Sequence, residues 1–461
     1  MINRLIIVIS GELFVRNYLT TGAFDALEKN YECIYLISDS IKNIEALKKK
    51  DHVVKYRNDR FQNVQHHKIF EIMMWRYRKK SKTFEFRIKR TQKLSFKFDF
   101  NINFVSKIIE SILRVIRWIS RKLTNVMLGN VFTFPYYMSY LKRTIKVNPD
   151  IKSTILKYKP SLVIFPSSAF DPEGDDVTII CNEYKLPTLF LIDNWDNLSS
   201  KTLFWVKPTN LAVWGKQSSE HASIIQGFEK SKVTCLGTPR YDEYFRLRSS
   251  TIKSPFSHRY ILFVGTTLAF DEASALIKLN DILEKNQKNF EGVKIVYRPH
   301  PWRQGTDSIC QIDLPHIVID PQLRSAYCMK KNSQDIQPSI SYYSGLLQNA
   351  EFILGGLTSM LIESLIFHKR YLALVYDEDK NFTSQHNVYK NYIHFEGIDK
   401  LDAISFCKDI KDFEKNLLSV WRQRHDIDHT KFDDQRRYYY YDDNKSYSDR
   451  LKNLCEKILY T

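Results

Sequence analysis

Three short loops in the second half of the chain carry the residue types that anion binding requires. In VKIVYRPHPWRQG (293–305), a β-branched run ends on Arg298-Pro299-His300-Pro301, and Arg303 follows at once. A guanidinium fork matches phosphate geometry, and the flanking prolines fix the backbone so that the His300 imidazole is aimed at little entropic cost. A second loop, Gly265-Thr266-Thr267, also follows an apolar run. Its glycine lets backbone approach a ligand, and its hydroxyls can donate to phosphate oxygens. The third is Gly355-Gly356-Leu357-Thr358-Ser359, leading into MLIESLIFHKR. Thr358 and Ser359 are placed to cap that helix, and Glu363, one turn in, can accept from sugar hydroxyls or simply complement the helix dipole. Each loop alone is a common turn. Three phosphate-compatible loops in one half of the chain point to a phosphate-bearing ligand.

The elements that would position these loops alternate between strand-like runs and helical patterns, as in a doubly wound parallel sheet. Strands are expected at 5–10, 33–37, 162–165, 188–192, 211–214 and 233–236, and again at 260–264, 293–297, 316–319, 352–354, 371–375 and 392–395. The polar stretch RLRSSTIKSPFSHR (246–259) has no periodicity and is the expected linker. This gives an N-terminal Rossmann-like domain over 1–245, a C-terminal one over 255–430, and a last helix over 431–461. Ligands in such sheets sit at the carboxyl ends of the strands, which is where all three loops fall.

Residues 66–145 interrupt that alternation and are expected to form a helical, basic insertion in the first domain. The 19 residues 75–93 hold nine Lys or Arg against the single Glu85, a large share of the formal charge of +17. In the following 102–123, Val105, Ile108, Ile109, Ile112, Leu113, Ile116 and Ile119 recur at helical spacing opposite Lys107, Glu110, Arg114, Arg117 and Arg121. Such a helix either lies in an anionic membrane interface or packs on the sheet as an ordinary surface helix. No nucleic-acid module accompanies the charge, so nucleic acid is not an expected partner. Seven scattered cysteines with no Cys-x-x-Cys argue against a zinc site and a disulfide framework, hence for a reducing compartment. No run reaches the length of a membrane span. The expected location is cytoplasmic, peripheral on the inner face of the cytoplasmic membrane.

With these loops in place, YYSGLLQNAEFILGGLTSMLIESLIFHKRYLAL (342–374) resembles the donor-side region of two-domain GT-B glycosyltransferases. Pro299-His300-Pro301 is similar to the His-Pro motif of bacterial surface-polysaccharide and lipopolysaccharide transferases and of CDP-glycerol glycerophosphotransferases. LPTLFLIDNWDNLSSKT (186–202) and CLGTPRYDEYF (235–245) resemble stretches of surface-carbohydrate biosynthesis proteins, and the tail at 437–453 is like the helix that crosses back onto the first domain. The resemblance implies two Rossmann-like domains facing across a cleft. It implies a glycosyltransferase that moves a sugar from a nucleotide-sugar donor to a glycan or lipid-linked acceptor. Gly265, Thr266, Thr267, Arg298, His300, Pro301, Arg303, Gly355, Gly356, Thr358, Ser359 and Glu363 would line the donor site. No cofactor and no metal are expected, since no Asp-x-Asp stands at a strand end. An inverting reaction needs a base from the first domain, for which Asp196, Asp193 and Glu12 are the candidates, with His300 acting on the leaving phosphate. Arg240 and Asp242 are expected to form an interdomain ion pair. Three departures stand against the closest version of this reading. The first loop, Ser10-Gly11-Glu12-Leu13, lacks a double glycine, the insertion matches no known segment, and Asn194-Trp195-Asp196-Asn197 stands where the glycerophosphotransferases carry a Trp-His-Gly-type histidine motif. The alternatives are a CDP-polyol phosphotransferase, a nucleotide-sugar 2-epimerase sharing the fold, and a catalytically silent, membrane-associated assembly protein.

Overall fold

A computed structural model describes residues 3–42, 45–48, 50–58, 60–92, 104–201, 203–301, 303, 307–310, 314–329, 340–378, 381–443 and 445–460. The chain divides into two compact units, Met1–Thr238 with Tyr441–Thr461, and Pro239–Tyr440. The expected linker at 246–259 therefore lies within the second unit. Its first residues close helix Pro239–Arg248, and its last opens a strand.

The first unit is built on a seven-stranded, all-parallel sheet. Its strands are β1 (Arg4–Ile9), β2 (Glu32–Ser38), β3 (His52–Tyr56), β4 (Leu162–Ser167), β5 (Thr188–Ile192), β6 (Asn210–Val213) and β7 (Val233–Cys235), in the order β3-β2-β1-β4-β5-β6-β7. Leu5 through Ile9 and Leu162 through Phe165 are fully buried or nearly so, because helices cover both faces of the sheet. Strand β3 escapes the sequence pattern because KDHVVKYR is an exposed, charged edge. Helix Tyr447–Tyr460 returns to this unit, and Tyr447, Leu451, Leu454 and Cys455 join the core that β1 and β2 build.

The second unit repeats the topology with six parallel strands: β8 (Arg259–Val264), β9 (Val293–Arg298), β10 (Ile317–Ile319), β11 (Ile353–Gly355), β12 (Tyr371–Leu374) and β13 (Ile404–Cys407), ordered β10-β9-β8-β11-β12-β13. The strand expected at 392–395 is instead a turn of 3-10 helix, Ile393–Phe395, and the outer strand is β13. In both sheets the order reverses between two neighbours, β1 and β4 in one and β8 and β11 in the other. That switch point is where an open α/β sheet leaves a crevice.

The insertion is helical as expected, with helices Arg60–Arg76, Lys82–Gln92, Phe104–Gly129 and Phe134–Thr144. Lys93 and residues 102–103 lie outside the described residues. The second unit also holds one disulfide, where the cysteine spacing pointed to none. Cys310 and Cys328, 18 residues apart, are joined by a disulfide with Cα atoms 5.7 Å apart. Neither neighbours another cysteine in sequence, so spacing could not reveal a pair that a turn of chain brings together.

Candidate functional site

The three loops of the second unit converge at its switch point. Gly265 donates its N–H to the Arg298 carbonyl at 2.8 Å. A side chain there would bring Cβ to 2.7 Å from the His300 nitrogen, so this glycine is required by the close approach of the Pro-His-Pro loop. Thr266 Oγ1 donates to the Leu357 carbonyl at 3.1 Å, which ties the first loop to the third. Gly355 has φ +154°, and a Cβ would stand 2.2 Å from the Val264 carbonyl oxygen. At Gly356 a Cβ would meet Thr266 Cγ2 at 2.8 Å and Gln385 Nε2 at 2.9 Å. The glycines thus let β8 and β11 end in contact.

The arginines do something other than reach for a ligand. Arg298 is almost wholly buried. It donates to the Asp320 carboxylate and, at 3.0 Å, to the Tyr343 hydroxyl, with its guanidinium 4.5 Å from the Tyr343 ring centre. Asp320 is itself held by Tyr342 Oη at 2.7 Å and by the N–H of Gln322 at 3.1 Å. Arg303 donates to the carbonyls of Thr266 (2.6 Å), Phe270 (2.9 Å) and Leu268, and pairs with Glu272 at 3.1 Å. It clamps the loop between β8 and helix Glu272–Lys285. Glu272 is buried too, and accepts from the Thr266 N–H at 2.8 Å and from the Tyr297 hydroxyl. Both arginines are braces whose charge stays in place.

That charge is felt at His300. Burial, with the nearby positive charges of Arg303 and Arg298, lowers its pKa from 6.5 to about 4. The same burial and charges favour the uncharged imidazole at neutral pH. Thr267 is exposed, and Pro301 is half-buried beside His300.

Glu363 and its neighbours do not fit the sugar-binding expectation. Glu363 is buried and accepts from Arg240 Nη2 and Tyr244 Oη, both at 3.1 Å, and from Ser359 Oγ at 3.4 Å. Ser359 is the N-cap residue of helix Met360–Ile366, but its side chain makes no capping bond. Thr358 contributes its carbonyl to that first turn, accepting from the Leu361 N–H at 3.2 Å. Arg240 and Asp242 are not partners of one another across two domains. Arg240 pairs with Glu363, and Asp242 accepts from Tyr440 at 3.4 Å, all within the second unit. Gln385 went unnoticed in the sequence. It is fully buried beside Gly356, and its Oε1 accepts the Leu357 N–H at 2.7 Å.

The corresponding end of the first sheet is acidic. The loop after β4 carries Ala169 at φ +60°, a conformation that costs a residue with a Cβ and is found at strained sites. Asp171 accepts from Ser167 Oγ at 2.9 Å and from the N–H and hydroxyl of Ser168 at 2.6 and 3.0 Å. Burial pushes its pKa up to about 6, and burial pushes Glu173 up to about 7. The run DPEGDD (171–176), four acids in six residues with a proline at a helix start, was the signal available for them. Asp193, after β5, is buried and accepts from Asn17 Nδ2 at 2.8 Å. Asp196 accepts from Ser200 Oγ at 3.0 Å and lies 3.7 Å from Lys201 Nζ, a local arrangement typical of Asp in turns. The Glu12 carboxylate accepts the Lys42 N–H at 2.5 Å. Deeper in the unit, His66 Nδ1 donates to the Asp175 carboxylate at 2.8 Å, and Nε2 lies 3.5 Å from Asp176. Burial opposes its charge, but the hydrogen bonds to these carboxylates outweigh it and raise the pKa to about 9. Among the described residues no group of His, Cys, Asp and Glu is arranged to hold a metal ion.

No family model matches the chain, and no curated protein matches it. Solved structures do. A UDP-N-acetylglucosamine 2-epimerase from Rickettsia bellii aligns over 100% of this chain and 98% of its own, at 11% identity and a TM-score of 0.52. The UDP-GlcNAc 2-epimerase from Methanocaldococcus jannaschii aligns over 98% and 99%, at 10% identity and a TM-score of 0.51. MurG from Acinetobacter baumannii aligns over 99% of both chains at 10% identity, with a TM-score of 0.45. At these identities the likeness is one of fold. The chain has the GT-B class of fold, with two Rossmann-like units built on parallel sheets.

Proposed function

We propose that the chain is a metal-independent glycosyltransferase that binds a nucleotide-sugar donor on its second unit and serves surface-carbohydrate synthesis. The observation that carries the reading is the place of His300, in a loop packed on Gly265 where the three loops meet and with Arg298 and Arg303 braced on either side of it in sequence. A half-buried imidazole, its pKa lowered to about 4 by burial and by two braced arginines, at a switch point where three loops meet, suits a diphosphate group. Charge that builds on a leaving phosphate would be stabilised by this fixed potential without reorganisation. Arg298 and Arg303 act through their field and by holding the loops, while His300 and the loop backbone make the contacts. The His-Pro resemblance to surface-polysaccharide transferases is in keeping with this. The donor nucleotide is tested by a thermal-shift panel of CMP, UDP, GDP, dTDP and CDP-glycerol, because a ligand that binds only the folded state raises its midpoint. A rise with one nucleotide that His300→Ala abolishes is expected, and no rise with any of them defeats the reading. A response to CDP-glycerol above all others would favour polyol-phosphate transfer instead.

A second reading, a nucleotide-sugar 2-epimerase, draws on a separate observation. Asp171 and Glu173 stand near strand ends of the first sheet with pKa values of about 6 and about 7, suited to giving and taking protons at neutral pH. Fold relatives named as UDP-GlcNAc 2-epimerases are consistent with it. Incubating the nucleotide sugar in deuterated water separates the two. Deuterium at C2 without any acceptor marks an epimerase, and product that forms only with an acceptor glycan marks a transferase.

A further inference from the structure

An amphipathic helix on a soluble protein normally turns its apolar side to the core. Helix Phe104–Gly129 does the opposite over its described side chains, Ile109 and Ser111 to Gly129. From Ser111 onward its inward side is mixed and poor in aliphatic residues: Ser111, Arg114, Val115, Trp118 and Leu128 are half-buried, and Asn125 and Gly129 are buried. That side lies on helix Arg60–Arg76. Asn125 Nδ2 donates to Glu71 at 3.3 Å, Arg121 pairs with the same carboxylate, and a Cβ at Gly129 would come within 2.6 Å of the Trp75 ring. The outward side carries Ile109, Ile112, Leu113, Ile116, Ile119 and Leu123, at the i, i+3, i+4 spacing of one helical stripe. Ile112 is 52% exposed, Ile116 55% and Leu123 55%. The stripe continues through Val126 and Met127 into the next connection, where Phe132 is 83% exposed, and on to Tyr136 at 80%.

The surroundings of the stripe indicate what covers it. Arg117 and Lys122, both exposed, stand on its two edges, with Lys122 Nζ over the Trp118 ring at 5.0 Å. Helix Phe134–Thr144, which packs on the same helix, ends in exposed Lys142 and Arg143 and presents Tyr136 and Tyr140 to solvent. Apolar residues in a continuous band, aromatic rings at its end and basic side chains along its rim fit an acyl boundary below and anionic headgroups above. Charge interruptions rule out a spanning role, and no helix among the described residues is long and apolar enough to cross a membrane.

We infer that helix Phe104–Gly129 and the segment that follows it form a docking face for an anionic lipid bilayer, with the Ile109–Met127 stripe inserted at the acyl boundary. The inference is independent of the nucleotide-sugar reading, and its test is too. The full-length protein is mixed with vesicles of phosphatidylcholine alone or containing phosphatidylglycerol, and bound protein is separated by flotation. Binding is expected to the anionic vesicles, about tenfold or more tighter than to the neutral ones, and to weaken as salt screens the rim. The triple change Ile112→Ser, Ile116→Ser, Leu123→Ser should lower vesicle affinity about a hundredfold or more. Its melting profile and its response to nucleotide should stay those of the unmodified chain. Arg117→Glu with Lys122→Glu should remove the preference for phosphatidylglycerol. Absence of vesicle binding overturns the inference, as does binding that survives the serine changes. A dimer that the serine changes convert to monomer, with no vesicle binding by either form, assigns the stripe to a second copy of the chain and overturns it equally.

Discussion

The six strands of the second sheet follow the order of the first six in the other, yet the residues beyond the carboxyl ends of the two sheets are opposite in kind. Past β4 and β5 the first unit gathers Asp171, Glu173 and Asp193, carboxyls that burial or close hydrogen bonding controls. Past β8, β9 and β11 the second unit gathers three close-approach glycines, a histidine of lowered pKa and two braced arginines. Topology supplies the crevice, and the loop residues decide its character, carboxyls in the first unit and glycines with arginines in the second. The second end is also tighter. Gly355 and Gly265 have backbone where a Cβ would go, whereas a Cβ on Gly11, after β1, would meet nothing within 4 Å.

The sharpest way to break the second end is to remove the partner of its buried arginine. Asp320→Ala leaves Arg298 charged and unpaired, and should cost about 3–5 kcal/mol in urea unfolding. Gly355→Ala forces a side chain into the Val264 carbonyl at φ +154° and should cost roughly 3 kcal/mol by the same measurement. Gly11→Ala is the matched control in the first unit and should stay within about 1 kcal/mol, since Gly11 has extended backbone and open space. His300→Ala should leave unfolding nearly unchanged but weaken nucleotide binding about 10- to 100-fold in a titration.

The smallest effect, pH dependence, distinguishes the two ends by sign. Asp171 and Glu173 have folded pKa values raised above 3.8 and 4.5, so the folded state holds their protons longer than the unfolded chain does. Their contribution to stability is full below those ordinary values and is lost as pH rises through about 6 and about 7. His300 is depressed from 6.5 to about 4, so its contribution is present above 6.5 and is lost as pH falls through about 4. Urea midpoints between pH 4 and 7 should therefore respond in opposite directions to two substitutions. Asp171→Asn should remove part of a decline with rising pH, and His300→Gln should remove part of an increase.

Much of this was legible in the sequence where continuous apolar runs mark doubly buried strands. Eleven of the twelve expected strands fall on the observed ones. The failures have physical causes: β3 is a charged edge, and the aromatic-rich 392–395 coils as a 3-10 turn. The site was legible as loops but not as roles. Arg298, Arg303 and Glu363 look like ligand contacts by residue type, while Asp320, the 266–270 carbonyls and Arg240, which claim them, are distant in sequence. The outward turn of the 104–129 helix was equally hidden, because the pattern shows that a helix has two faces but not which one its neighbour takes.

The return of helix Tyr447–Tyr460 sets the order in which the protein can be made. Its Tyr447, Leu451, Leu454 and Cys455 complete the core around β1 and β2, and Ser448 Oγ accepts the Ala26 N–H at 2.8 Å. The second unit is one continuous stretch, Pro239–Tyr440, and is translated in full before that helix exists. At ordinary elongation rates the nascent first unit waits roughly 10–40 s with that side of its core open. During that interval the core that Leu27 and Tyr31 share with the last helix lacks the side chains that helix supplies.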